Sequence, residues 1–121
     1  MATPIVGIDF NAALAQFKLE RVFLRILTKY RDSIPDVLEQ LSNYVEKKTP
    51  VEGLDDYITT VHGLKGASYG IFANDLGDLA KDLEFAARDG RLDFVSSNNG
   101  KLVLETNALL KRIDSYLNAA S

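Results

Sequence analysis

The residue with the most varied chemistry in this sequence is His62, the only histidine among 121 residues. Near neutral pH an imidazole can act as a nucleophile, as a general base or as a metal ligand. The chain contains no cysteine, and a zinc or iron site usually needs several His, Cys, Asp or Glu ligands that converge on one point. We therefore expect neither a metal site nor a cofactor. Since His62 is the only histidine, we also expect it to act without a second imidazole.

The polar and small neighbours of His62 recur at helical spacing. Residues three and four positions apart share one face of an α-helix, and this face would carry Thr59, His62, Lys65, Gly66 and Tyr69. The core stripe of the same segment points mainly elsewhere and consists of Val61, Leu64, Ser68 and Ile71. We therefore expect His62 to lie at the edge of a helix bundle, where it is accessible to water.

Two glycines and a lysine accompany His62. Gly63 and Gly66 each cost roughly 1 kcal/mol relative to alanine inside a helix, and glycine at such positions often allows a close approach to the backbone. Lys65 places a cation one turn from the imidazole, where it would offset the charge of a phosphoryl group. As an exposed lysine it should change stability by no more than about 0.5 kcal/mol. These residues alone leave an ordinary surface or capping histidine as the alternative.

The elements that position this segment are predicted to be helices, because apolar residues recur every three or four positions along most of the chain. Asp9 starts a short first helix, and a long kinked helix follows whose apolar stripe keeps its phase across Pro35. The TPVE segment 49–52 is typical of a helix start, Asn74 opens the next helix, and the last one begins near Asp93. Short connections then predict an all-α fold, an antiparallel four-helix bundle (up-down-up-down) with a short extra N-terminal helix.

The composition fits a single domain over residues 1–121. Hydrophobic residues make up 46% and charged residues 26% of the chain, which is a globular balance. The formal net charge is −3, whereas a nucleic-acid-binding domain normally has a basic face, so we expect no nucleic-acid partner. The apolar runs are far shorter than the roughly 20 residues that span a bilayer, and the N-terminus lacks the pattern of a signal peptide. We expect a cytoplasmic monomer without a membrane partner.

The segment His62-Gly63-Leu64-Lys65-Gly66-Ala67-Ser68 resembles the H-x-L-K-G-x-[S/A] signature of histidine-phosphotransfer (HPt) domains, the four-helix carriers of multistep phosphorelays in two-component signalling. The resemblance extends to the start at Gly7-Ile8-Asp9, to the long helix with a proline, to the leucine-rich helix after the signature and to the closing helix, so it covers most of the chain. One position departs from the pattern. The family usually has glycine ten residues after its histidine, where this chain has Phe72, and we expect Gly70 to end the helix instead.

The resemblance implies a role for each matching residue. His62 would be the phosphorylated histidine, Lys65 the basic neighbour of the phosphate, and Gly66 the small residue that makes room for the partner. Other residues that would line the same binding face are Thr59, Gly63 and Tyr69.

A carboxylate on the following helix completes the predicted site. Glu84 comes 22 residues after His62, where family members place a Glu or Gln that hydrogen-bonds the imidazole. Both residues stand at the edge of a core stripe, and in adjacent antiparallel helices two such residues on the same side meet. We therefore expect a contact between Glu84 and His62. The alternative is a solvated Glu84 that pairs with Lys81 or Arg88 on its own helix.

The function implied by the resemblance is that of a phosphorelay carrier. His62 would accept a phosphoryl group from a receiver aspartate or a histidine kinase and pass it to the aspartate of a response-regulator receiver. Such a protein is a covalent carrier and not an enzyme, and the sequence has no nucleotide-binding or kinase motif. One alternative is a helical adaptor that binds a kinase or receiver without being phosphorylated, which would keep full activity after His62→Gln. Another is a small hydrolase with His62 as general base, but a bundle of this size offers little concave space for one.

Overall fold

The computed structural model describes residues 4–46 and 54–120, and within these ranges the regular structure consists of five helices. They are α1 (Phe10–Phe17), α2 (Glu20–Glu46), α3 (Leu54–Gly70), α4 (Asn74–Arg88) and α5 (Leu92–Ala120). α2 and α4 each pack against both α3 and α5, and α1 packs against α2. The predicted antiparallel bundle with a short N-terminal helix is confirmed. Within the described ranges, no helix has the length and apolar character needed to cross a membrane.

Most helix boundaries follow the local signals in the sequence. The side chain of Asp9 accepts a hydrogen bond from the backbone N–H of Ala12 at 3.0 Å and caps α1, as an N-cap aspartate commonly does. α2 continues through Pro35 as one helix, and the inward members of its stripe are buried: Phe23, Leu27, Tyr30, Ile34, Leu38 and Leu41. The predicted helix start at Thr49-Pro50-Val51-Glu52 lies outside the described residues.

The end of α3 differs in one detail from the prediction. The helix ends at Gly70 as expected, but the residue in the left-handed conformation is Phe72, with φ of 63°. The N–H of Phe72 donates to the carbonyl of Tyr69, and the N–H of Ala73 donates to the carbonyl of Ser68, both at 2.9 Å. These are the two hydrogen bonds of a Schellman ending. Gly70 therefore does not replace the glycine of the family pattern, because Phe72 itself adopts the conformation that favours glycine.

Phe72 also anchors α1 to the bundle. Its ring packs edge-on against Phe17, with 6.1 Å between the ring centroids. Its carbonyl oxygen accepts a hydrogen bond from the backbone N–H of Asp9 at 3.0 Å. The ring contact gives an aromatic side chain a structural purpose at a position where the backbone alone would favour glycine.

The rotation of α3 about its axis is set by its buried residues, which are Tyr57, Val61, Leu64 and Ser68. The hydroxyl of Tyr57 donates to Oδ1 of Asn99 on α5 at 2.8 Å. The hydroxyls of Ser68 and of Tyr30 on α2 are 3.0 Å apart. Because buried polar groups need hydrogen-bond partners, these contacts favour one rotation of α3, and that rotation turns His62 outward.

Candidate functional site

His62 lies on the outer face of α3, and its side chain is 60% exposed. Its Nδ1 is 3.1 Å from Oε1 and 3.2 Å from Oε2 of Glu84 on α4. Its Nε2 makes no hydrogen bond with any part of the chain that the structure describes. The accessibility predicted for His62 and its predicted contact with Glu84 are therefore both confirmed.

The carboxylate behind the imidazole is buried, with only 4% of the Glu84 side chain exposed. Lys65 Nζ lies 2.8 Å from Oε1, and Arg88 Nε and Nη2 each lie 2.9 Å from Oε2. Burial raises the pKa of Glu84, but the hydrogen bonds from Lys65, His62 and Arg88 outweigh this effect and hold the pKa at about 2. Glu84 is therefore ionised at neutral pH. Since an ionised carboxylate only accepts hydrogen bonds, Nδ1 of His62 is the donor in this contact.

The structure corrects the expected environment of Lys65. Its side chain is only 20% exposed, and its ammonium group is already bonded to Glu84 in the unphosphorylated protein. The expectation of an exposed lysine was therefore wrong, and the small effect on stability that was based on this exposure has to be revised. Removal of this cation would leave a buried carboxylate with one partner fewer, which costs more than the loss of a solvated charge.

Glu84 has the contact with His62 that was expected, and it also has one of the two partners that were named for a solvated Glu84. Glu84 contacts His62 across the helix pair, and it also pairs with Arg88 four residues later on its own helix. It is buried and not solvated, so the second alternative is correct only in its choice of Arg88. Lys81 instead places its ammonium 5.8 Å from the ring centroid of Phe85.

The two glycines beside His62 leave open space. A Cβ atom added at Gly63 or at Gly66 would meet no heavy atom within 4 Å beyond the local helix backbone. Gly77 on α4 is different, because a Cβ there would lie 2.5 Å from the ring of Tyr69. Packing therefore requires glycine at Gly77, whereas Gly63 and Gly66 weaken the helix without making room for any neighbour in the fold.

Thr59 and Tyr69 share the face of the imidazole, but both side chains have partners within the protein. The hydroxyl of Thr59 donates to the backbone carbonyl of Asp55 at 3.0 Å, and Thr59 stays at the exposed surface. The hydroxyl of Tyr69 donates to Asp78 on α4, and this hydrogen bond is the main reason why the pKa of Tyr69 is raised to about 12. Tyr69 is thus a half-buried contact between α3 and α4.

From the sequence, Arg88 was named only as a partner of a solvated Glu84, and Phe85 was not singled out. The spacing of four residues between Glu84 and Arg88 was the available signal, but it gave no indication that the carboxylate would be buried. Phe85 follows Glu84 and is about half exposed, which its apolar character did not suggest. Among the described residues, no three His, Cys, Asp or Glu side chains are grouped so that they could hold a metal ion.

The arrangement offers one accessible nitrogen, Nε2 of His62, on a ring whose other nitrogen is held by a buried carboxylate. Comparison with protein-family models, with curated proteins and with solved structures found no match for this chain. The interpretation of the site therefore depends on these contacts and on the resemblance of the segment 62–68.

Proposed function

We propose that this protein is a histidine-phosphotransfer carrier of a two-component phosphorelay. The observation that carries the proposal is the contact between the exposed His62 and the buried, ionised Glu84. The contact holds a hydrogen on Nδ1 and leaves Nε2 as the nucleophile. Burying a carboxylate costs several kcal/mol, and a surface histidine without a chemical role has no need of such support.

The proposed chemistry is an exchange between an aspartyl phosphate and the imidazole. The lone pair of Nε2 attacks the phosphorus, the N–P bond forms, and the P–O bond to the receiver aspartate breaks to free its carboxylate. Nδ1 keeps its hydrogen, so the phosphorylated ring carries one formal positive charge, which the Glu84 carboxylate stabilises. In the next step the neutral imidazole is the leaving group, and the phosphoryl group moves to the aspartate of a second receiver. In this scheme the receiver supplies the metal ion and most of the catalytic electrostatics.

The surface around His62 suits the approach of another protein. Gly63 and Gly66 leave the helix backbone uncovered on one side of the imidazole. Phe85 presents a half-exposed apolar ring on α4 next to Glu84, and such exposed aromatic rings are enriched at protein interfaces. We propose that a receiver or a histidine kinase docks on this face of α3 and α4, and that the protein works as a cytoplasmic monomer.

The test is incubation of the purified protein with receiver domains that carry a labelled aspartyl phosphate. We expect label on this chain that is lost in acid and stable in alkali, as is typical of phosphohistidine, and no label on His62→Gln. Label that survives acid, or that persists in His62→Gln, would refute the proposal. If wild type is never labelled while His62→Gln binds a receiver as well as wild type does, the protein is an adaptor instead.

A further inference from the structure

We infer that Arg88 is a positioning residue that shares the charge of Glu84 and thereby opposes the addition of a second proton to the imidazole of His62, which would occupy the lone pair of Nε2. The effect on phosphotransfer rests on the proposed function. The protonation of the ring is a property of the unphosphorylated protein and can be measured separately.

The contact with Glu84 has two opposed effects on the imidazole. It holds a hydrogen on Nδ1, as a nucleophilic Nε2 requires. A carboxylate this close also favours the protonated ring, because an opposite charge within about 4–6 Å stabilises the charged form. An imidazolium carries a hydrogen on both nitrogens, so its Nε2 has no lone pair with which to attack phosphorus. A phosphoryl acceptor therefore needs the hydrogen held on Nδ1, but its ring must not take up a second proton at Nε2.

Two cations are placed so that they oppose the protonation of the ring that Glu84 favours. Lys65 contacts Oε1 of Glu84 at 2.8 Å, and Arg88 contacts Oε2 through two nitrogens at 2.9 Å. The imidazole Nδ1 lies almost equally far from the two oxygens, at 3.1 and 3.2 Å. Two positive charges therefore face one negative charge, and the net positive charge of this group disfavours a further proton on the ring.

Arg88 is the member of this group whose charge can be changed with the least disturbance to packing. Its side chain is 52% exposed, whereas that of Lys65 is 20% exposed. Arg88 lies on α4 with Glu84, so its removal leaves the contact between Lys65 and Glu84 across the two helices in place. A guanidinium is in general a permanent cation in proteins.

The single histidine makes the measurement direct, because ¹⁵N-histidine labelling gives one pair of ring-nitrogen signals. In Arg88→Gln we expect the ratio of imidazolium to neutral ring at pH 7 to rise roughly three- to tenfold, as for the loss of one half-exposed charge. Arg88→Lys keeps the charge and should stay close to wild type. Arg91→Gln is the matched control, because Arg91 is 56% exposed and lies near Asp89 at 3.9 Å, and it should leave the signals unchanged.

The transfer rate and a second mutant background complete the test. We expect Arg88→Gln to slow transfer at pH 7, and we expect the rate to recover as the pH is raised and the added proton is lost. Because the contact with Glu84 holds Arg88 near the ring, Arg88→Gln should cause a smaller change in a Glu84→Gln background than in wild type. Unchanged ring signals in Arg88→Gln, or an equal change in both backgrounds, would overturn the inference. If the ring signals change as expected but His62 of wild type is never phosphorylated, the proposed function fails and the role of Arg88 stands.

Discussion

The buried carboxylate of Glu84 should make the stability of this bundle sensitive to acid, and Glu84→Gln should remove that sensitivity. The pKa of Glu84 is about 2 in the folded protein, against an ordinary value of 4.5. A carboxyl group whose pKa is lowered by folding stabilises the fold above its unfolded-state pKa, and this contribution is lost as the pH falls through the folded-state pKa. At 1.36 kcal/mol for each pKa unit, the contribution is about 3 kcal/mol at neutral pH and disappears between about pH 5 and pH 2.

Urea unfolding followed by helical circular dichroism at a series of pH values measures this effect. The free energy of unfolding of wild type minus that of Glu84→Gln should fall by about 3 kcal/mol between about pH 5 and pH 2, because other carboxyl groups titrate in both proteins and cancel. Glu39→Gln is the control, since Glu39 is exposed on α2, and its difference from wild type should change little. A Glu84→Gln difference that stays constant over this range would refute the assignment of Glu84 as a buried, ionised group.

Two further substitutions separate the fold from the proposed chemistry. Gly66→Gln should raise the free energy of unfolding by up to about 1 kcal/mol, because the new side chain meets open space, yet it should slow transfer from a phosphorylated receiver. Lys65→Ala should lower the free energy of unfolding by about 1–3 kcal/mol, because the buried Glu84 loses a hydrogen-bonded cation, and it should also slow transfer. Urea unfolding and time courses of label transfer measure both.

Each of these substitutions has a matched control on α5. Gly100 is also a helical glycine with open space around it, so Gly100→Gln should give a similar gain in stability and leave transfer unchanged. Equal transfer rates for the two glycine variants would show that the open surface beside His62 is not needed. Lys101 is exposed, and Lys101→Ala should change stability by no more than about 0.5 kcal/mol. If Lys65→Ala costs no more than this control, the ion pair with Glu84 does not stabilise the fold.

The sequence by itself determined the helices and the exposure of His62, because both depend on local spacing. The cap at Asp9 and the constant phase of the stripe across Pro35 are interactions within one helix or its first turn. The outward position of His62 follows from that of Val61, because neighbouring helical residues differ by a fixed rotation of about 100°. The contact between His62 and Glu84 was also predictable, because it joins two edge positions of helices with a short connection.

Only the tertiary structure decided which charges share the site and how deeply they are buried. The depth of Glu84 depends on the rotation and offset of α3 against α4, which buried contacts such as that between Tyr57 and Asn99 help to set. That depth changes Lys65 from a solvated cation into a partner of Glu84. The left-handed conformation of Phe72 was equally beyond local rules, because the packing of its ring on α1 compensates for a backbone angle that alone would favour glycine. Local spacing determines which way a side chain points, but its neighbours on other helices determine its charge environment.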